Sequence, residues 1–366
     1  MSASALKLTS RSGVALLVLI TLAVAACADA AYKQTDLVSA AQVGEMVARV
    51  KAASAGEAAS LGAASLGQRL LVERRYSEAY ELFSALREKW PSEPALLYGT
   101  ALAAFNLGRP AEAEPLARSA AEIYLTGIAD KTVANPAALE QQQGGADALV
   151  LMAVILGARG ADNEALKSAQ RAVEIAPKYF DAQFTLGRAL YSVGDSTGAV
   201  KAFRSAMAIK PGDTRALFFL ATALEGAGES GAALDAYREL VVRQPEAADG
   251  HLGLGVLLLK RGGAEVEKGI LELKRAVNID PNLYEAQVTL GRALLARKLS
   301  QESIEHLQRA AALAPGNPEP HYQLALAYRR LGFIDKAVEE TAIVKRIHEL
   351  RRGAGAQNGN ARPEQR

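Results

Sequence analysis

The sequence predicts an all-α chain built as a solenoid of about eight helix-turn-helix units, and three observations carry that reading. Prolines recur at Pro177, Pro211, Pro245, Pro281 and Pro315, with gaps of 34, 34, 36 and 34 residues. Apolar residues between them keep helical spacing, as Leu186, Leu190, Phe203 and Ala206 do in one interval. A glycine stands near position 15 of most intervals, at Gly108, Gly160, Gly194, Gly228 and Gly332. Each interval therefore reads as helix, turn, helix, stop. Glycine tolerates the left-handed backbone that closes a tight turn. Proline beyond the second helix ends it without costing an internal hydrogen bond. A lone helical hairpin cannot cover its own apolar face, so neighbours must stack.

In chain order, residues 1–26 read as a signal peptide. Lys7 and Arg11 precede an apolar run from Val14 to Ala26. At 1.5 Å per residue that run reaches roughly 20 Å, short of the ~30 Å hydrocarbon core of a bilayer. It ends Val24-Ala25-Ala26-Cys27, at the only cysteine of the chain. The segment resembles a bacterial lipobox, which implies that Cys27 is lipidated and becomes the new N-terminus. With Ala28 after the cysteine, the resemblance implies the outer membrane of a Gram-negative host, facing the periplasm. The alternative is ordinary signal-peptidase cleavage after Ala28 or Ala30 and a soluble product. Residues 27–59 form the lipid attachment, a tether and a leading helix marked by Val43, Met46, Val47 and Val50.

The solenoid spans 60–349, in units 60–93, 94–127, 146–179, 180–213, 214–247, 248–283, 284–317 and 318–349. Unit 60–93 carries Leu66-Gly67, Leu70, Ala79, Phe83 and Pro91, and unit 284–317 carries Leu290-Gly291, Leu294, Leu307, Ala310 and Pro315. Unit 248–283 is two residues longer, in the turn Arg261-Gly262-Gly263-Ala264. Pro91 and Pro177 lie 86 residues apart, two repeats plus 18 residues. That insertion falls near 126–145, where Asn135-Pro136 and Gln141-Gln142-Gln143-Gly144-Gly145 read as loop. Residues 350–366, rich in Gly, Asn, Gln and Arg, read as a disordered tail. Period and residue pattern together resemble the tetratricopeptide repeat (TPR) family. The resemblance covers about 290 of the 366 residues and implies a right-handed α-solenoid.

Chemistry is harder to find. Lys plus Arg is 42 and Asp plus Glu 40, and removing residues 1–26 leaves 40 of each. No basic excess points to nucleic acid. A single cysteine excludes a disulfide framework, and His251, His306, His321 and His348 show no metal-ligand spacing. His251 and His321 share position 4 of their units, where helix packing is the expected role. Gly194-Asp195-Ser196-Thr197-Gly198 matches the nucleophile-elbow pattern by letter, but it falls in a turn between two helices. No phosphate-binding glycine loop occurs. The expectation is a non-enzyme with no cofactor, no metal and no small-molecule substrate.

By resemblance, the concave surface is lined by positions 2, 5, 9, 12 and 13 of the first helices. On that rule the partner-binding groove is formed by Phe184, Arg188 and Tyr191, then Arg215, Phe218 and Thr222, then Arg292, Tyr322 and Arg329. Aromatics interleaved with arginines suit a peptide partner, and the core positions leave Phe184, Phe218 and Tyr322 spare. Members that clamp the terminal carboxylate of Hsp70 or Hsp90 tails use Lys and Asn in these helices. Here position 9 holds Arg188, Thr222, Val256 or Arg292, never Asn. The implied role is a scaffold or adaptor in the bacterial cell envelope, binding other proteins through its groove and the membrane through Cys27. It would support assembly of a secretion, pilus, polysaccharide-export or cell-wall complex. A soluble periplasmic chaperone-like protein is the alternative.

Overall fold

The computed structural model describes residues 38–54, 62–127 and 136–359, so the signal peptide, Cys27 and residues 360–366 lie outside it. The described residues form helices joined by short turns, with no strand among them. Two compact units divide the chain, Met1–Ala216 and Leu217–Arg366.

In the first unit, α1 (Ala40–Ala52) precedes four helix pairs. These are α2 (Ala63–Val72) with α3 (Tyr76–Lys89), α4 (Pro94–Asn106) with α5 (Pro110–Gly127), α6 (Pro136–Ala158) with α7 (Asp162–Ile175), and α8 (Phe180–Ser192) with α9 (Ser196–Ile209). Helix α10 (Thr214–Gly226) straddles the division between the units. The second unit continues with α11 (Ser230–Arg243), α12 (Ala248–Arg261), α13 (Glu265–Ile279), α14 (Tyr284–Ala296), α15 (Ser300–Leu313), α16 (Pro318–Arg330) and α17 (Ile334–Gly359). The eight expected units are the eight pairs.

Helix α1 is a lid on the first pair. A capping box between Ser39 and Gln42 starts it. Val43, Val47 and Val50 are buried against Leu70 and Leu86. Both ends are tied down, by Arg75 Nη1 donating to the Val38 carbonyl at 2.5 Å and Lys89 Nζ to that of Lys51 at 3.0 Å.

Within a pair, the two helices meet at position 8 of the first and position 24 of the second. Gly67, Gly187, Gly255 and Gly291 occupy position 8, and a Cβ there would come within 2.6–2.8 Å of Phe83, Phe203, Leu273 and Leu307 respectively. The large side chain fills the space that a missing methyl leaves. Phe83 also presses on Gly99 of the next pair, where a Cβ would lie 2.8 Å from its ring. One ring thus locks three helices. Position 20 is small and buried at Ala79, Ala113, Ala165, Ala199, Ala233, Ser303 and Ala337.

The turns repeat as faithfully. Position 15 has positive φ at Gly108, Gly160, Gly194, Gly228, Gly262 and Gly332, and also at Arg74 and Lys298. The two extra residues of unit 248–283 lie in the turn between α12 and α13, as expected.

Two local readings are corrected. Residues 141–145 are not loop but part of α6, which starts ten residues before the unit does. Gly144 is there because the Tyr124 ring occupies the place of its Cβ, 2.5 Å away. A packing glycine had the look of a breaker. At the other end, α17 runs through Arg351 to Gly359, into the segment read as tail. Once nucleated, a helix adds a hydrogen bond per residue fixed, so it outlasts its packed face.

Arg74 and Lys298 carry side chains in a conformation that costs an L-residue roughly 1–2 kcal/mol. Lys298→Gly is expected to stabilise the protein by about 0.5–1 kcal/mol after the added backbone entropy of glycine, whereas Gly194→Ala destabilises it. Thermal melts followed by circular dichroism should show the two transitions moving in opposite directions.

Candidate protein-binding groove

The first helices of the amino-terminal unit present one row of residues from each pair. On α4 the row is Tyr98, Leu102 and Phe105, spaced i, i+4, i+7 and therefore on one face. On α6 it is Asp147, Val150 and Val154. Asp181 and Phe184 continue it on α8, with Tyr179 just ahead of that helix. These side chains line a single depression, with Leu151 and Thr185 at its base. Apart from Tyr179, Leu151 and Thr185, they are positions 2, 5, 9 and 12 of units 94–127, 146–179 and 180–213, the kind of position from which the groove was expected.

The depression is apolar with carboxylates set into it. Asp147 accepts from the Tyr179 hydroxyl at 2.5 Å and from the Gln143 side-chain amide at 3.2 Å. Burial outweighs both bonds and pushes its carboxyl up to about 6. Burial also raises Asp181, although Lys210 and Arg215 oppose the shift. The hydroxyls of Tyr98 and Tyr179 are pushed up by burial and then by the facing carboxylates. This set can bind, and it can discriminate charge.

The residues named from the sequence fare unevenly. Phe184 was expected to be spare, yet it is 2% exposed. It stacks on Phe180 at 5.7 Å between centroids and meets Phe203 edge-on at 5.8 Å. The large aromatic at position 24 leaves a gap between helices that a second aromatic at position 5 completes. Phe184 reaches the groove only as part of its wall. Arg188 is half-buried, and burial lowers its guanidinium to about 10. Tyr191 is half-buried as well. Arg215 lies 5.6 Å from the Phe184 ring and grips Asp213 through Nη2 at 2.6 Å and Nε at 3.2 Å. Burial works against the charge of Asp213, but that grip and the backbone amides of Ala216 and Arg215 hold its carboxyl below the usual range.

In the carboxyl-terminal unit, Phe218 is half-buried and packs edge-on to Tyr237. The Thr222 hydroxyl is used internally, at 3.0 Å from the Phe218 carbonyl and 3.1 Å from the Tyr237 hydroxyl. Arg292 is exposed and pairs with Glu319 at 3.1 Å. Tyr322 is 62% exposed and Arg329 is exposed, so these two remain surface groups.

His251, His306 and His321 have structural partners. At position 4, the His251 Nε2 lies 2.9 Å from the Pro245 carbonyl and Nδ1 lies 2.6 Å from Glu272. The amides of Gln183 and Gln287, also at position 4, donate to the carbonyls of Pro177 and Pro281 at 2.9 Å. Position 4 thus satisfies the carbonyl of the proline that closes the preceding repeat. His321 pairs instead with Glu340 at 2.6 Å. The elbow-like motif is a helix cap: Asp195 accepts from the Gly198 amide at 2.8 Å, and a Cβ on Gly198 would strike that carboxylate.

Sequence reasoning placed the groove from Phe184 onward and did not include Tyr98, Leu102, Phe105, Asp147, Val150, Val154 and Asp181. The positional rule would have found them if carried back across the insertion.

The raised Asp147 carboxyl has a defined pH signature. Its unfolded counterpart ionises near 3.8. As pH climbs past that value towards about 6, the unfolded state loses its proton first and the native state is penalised. Asp147→Asn, which keeps an acceptor for Tyr179, is expected to stabilise the protein by about 1 kcal/mol at pH 7. The gain should fade as pH falls from about 6 to about 4, as read from melting temperatures across that range.

The tetratricopeptide repeat model matches residues 65–124, 163–214, 184–241, 218–283 and 270–318, together more than half of the chain. Among curated proteins the sequence finds no match. Among solved structures, pilF of Pseudomonas aeruginosa is similar, at 16% identity and a TM-score of 0.51, over 57% of this chain and 94% of that one. MamA aligns at 21% identity and a TM-score of 0.43, over 46% and 97% of the two chains. A thermophilic TPR protein of Thermus thermophilus aligns at 25% identity and 0.38, over 45% and 90%. On the repeat matches and the helix pairs, the chain belongs to the tetratricopeptide repeat family.

Proposed function

We propose that this protein is a non-catalytic scaffold of the bacterial cell envelope, held at a membrane by its N-terminus while its repeats bind other proteins. Tetratricopeptide repeats are protein-interaction modules, and the groove formed by α4, α6 and α8 is the observation that carries the binding reading. Asp147 and Tyr179 bond each other within the groove, and apolar side chains are laid out beside them. That arrangement suits recognition of a peptide.

The envelope reading rests on residues 1–27. The basic residues Lys7 and Arg11, the short apolar run and the lone cysteine support export and lipidation at Cys27. Among the described residues no helix is long and apolar enough to cross a membrane. On this reading the acyl chains on Cys27 make the attachment. Buried acyl chains contribute about 0.8 kcal/mol per CH₂, and two or more chains anchor stably. The outer membrane, facing the periplasm, is the proposed address. Assembly of a secretion, pilus, polysaccharide-export or cell-wall complex is the proposed setting.

Intact mass and membrane fractionation of the native protein beside a Cys27→Ser variant test the anchor. The native form should begin at a triacylated Cys27 and pellet with membranes, and the variant should not. Soluble products of both, cut after Ala28 or Ala30, would replace the anchored scaffold with a soluble periplasmic chaperone-like protein.

A further inference from the structure

We propose that the groove formed by α4, α6 and α8 docks a protein segment that presents a lysine or arginine between apolar side chains. The inference deepens the scaffold reading and rests on it.

The case is one of complementarity. Leu102, Phe105 and Val150, all half-buried, offer an apolar strip along which aliphatic side chains can lie. Asp147 and Asp181 stand at position 2 of consecutive units, Asp147 midway along α6 and Asp181 in the first turn of α8, and both help to line the depression. Among the described residues, the groups bonded to Asp147 are neutral, the Tyr179 hydroxyl and the Gln143 amide. The cations beside Asp181 are already engaged: Arg215 is held by Asp213, and Lys210 lies 4.6 Å from the centre of the Phe180 ring. A carboxylate set among apolar groups and held by neutral donors gains most from a cation that arrives with its own desolvated surroundings.

The same charges work against the other ligand known to suit such grooves. A terminal carboxylate entering here meets the carboxyl groups of Asp147 and Asp181, which offer it no cation, and is disfavoured. Glutamate or aspartate in a partner would be rejected for the same reason. Charge selection therefore runs opposite to that of the carboxylate-clamping members of the family.

A phage-displayed library of random twelve-residue peptides, selected on the immobilised full chain, tests the site. Lys or Arg flanked by Leu, Ile, Val or aromatic residues should be enriched about fivefold or more on the native protein. That enrichment should vanish on an Asp147→Asn/Asp181→Asn variant of unchanged helicity, while apolar preferences persist. Enrichment of acidic peptides, no enrichment, or identical selections on both proteins would overturn the proposal.

Photo-crosslinkers at Leu102 and at Tyr322 in cells separate this from failure of the scaffold reading. Partners captured through a Lys- or Arg-bearing segment at Leu102 support the proposal. Partners captured at Tyr322 alone overturn the site and leave the scaffold standing. Capture at neither position overturns both. Crosslinks from Leu102 to Arg362 or Arg366 would show the tail of a second copy as the occupant and overturn the partner proposal.

Discussion

The structure depends on a steric constraint at the crossing of the two helices in each pair. A large side chain at position 24 needs a notch, and the notch exists because position 8 is glycine or alanine. Phe83 on Gly67, Phe203 on Gly187, Leu273 on Gly255 and Leu307 on Gly291 are four instances of one contact. In unit 248–283 the approach is closer still, since a Cβ on Gly255 would lie 3.0 Å from the Gly269 carbonyl oxygen. Where Phe83 also wedges against Gly99, the contact reaches beyond its own pair and sets the position of the next first helix. Close-packed interiors transmit such spacing, so the crossings govern where the exposed face of each first helix falls.

Polar groups obey a rule just as regular. At three junctions the carbonyl of the proline that closes one repeat is bonded by position 4 of the next, from Gln183, His251 and Gln287. His306 extends the pattern by bonding the Gln287 side chain at 2.9 Å. A typical hydrogen bond contributes about 0.5–1.5 kcal/mol net, and at these three junctions it ties the first helix of one repeat to the end of the one before. The lid formed by α1 covers the apolar end that the first pair would otherwise expose to water, as terminal repeats require.

The groove of the amino-terminal unit departs from this rule. Asp147, Asp181, Tyr98 and Tyr179 place ionisable groups among Leu, Val and Phe, and the raised carboxyl of Asp147 measures what their burial costs. Structural packing does not need that arrangement: Leu151, Val154 and Phe184 already fill the interior beneath it. Groups that burden stability without serving the core are characteristic of sites that meet a ligand.

Sequence alone determined the repeat, because its determinants are local. Proline stops, positive-φ glycines and small residues at fixed spacing act within one hairpin, and their period of 34 survives any uncertainty about packing. Unit 94–127 is in the same register, with Ala113, Ala117 and Ala120 all buried. Tertiary structure decided what the period cannot express. Gly144 breaks a pattern on paper and packs a tyrosine ring in space. Phe184 looks spare along one helix, yet it completes a cluster drawn from two helices. Asp147 and Asp181 are 34 residues apart and become neighbours in one depression only when two hairpins stack. Burial, and the charge preference that follows from it, belongs to that stacking and is written in no single repeat.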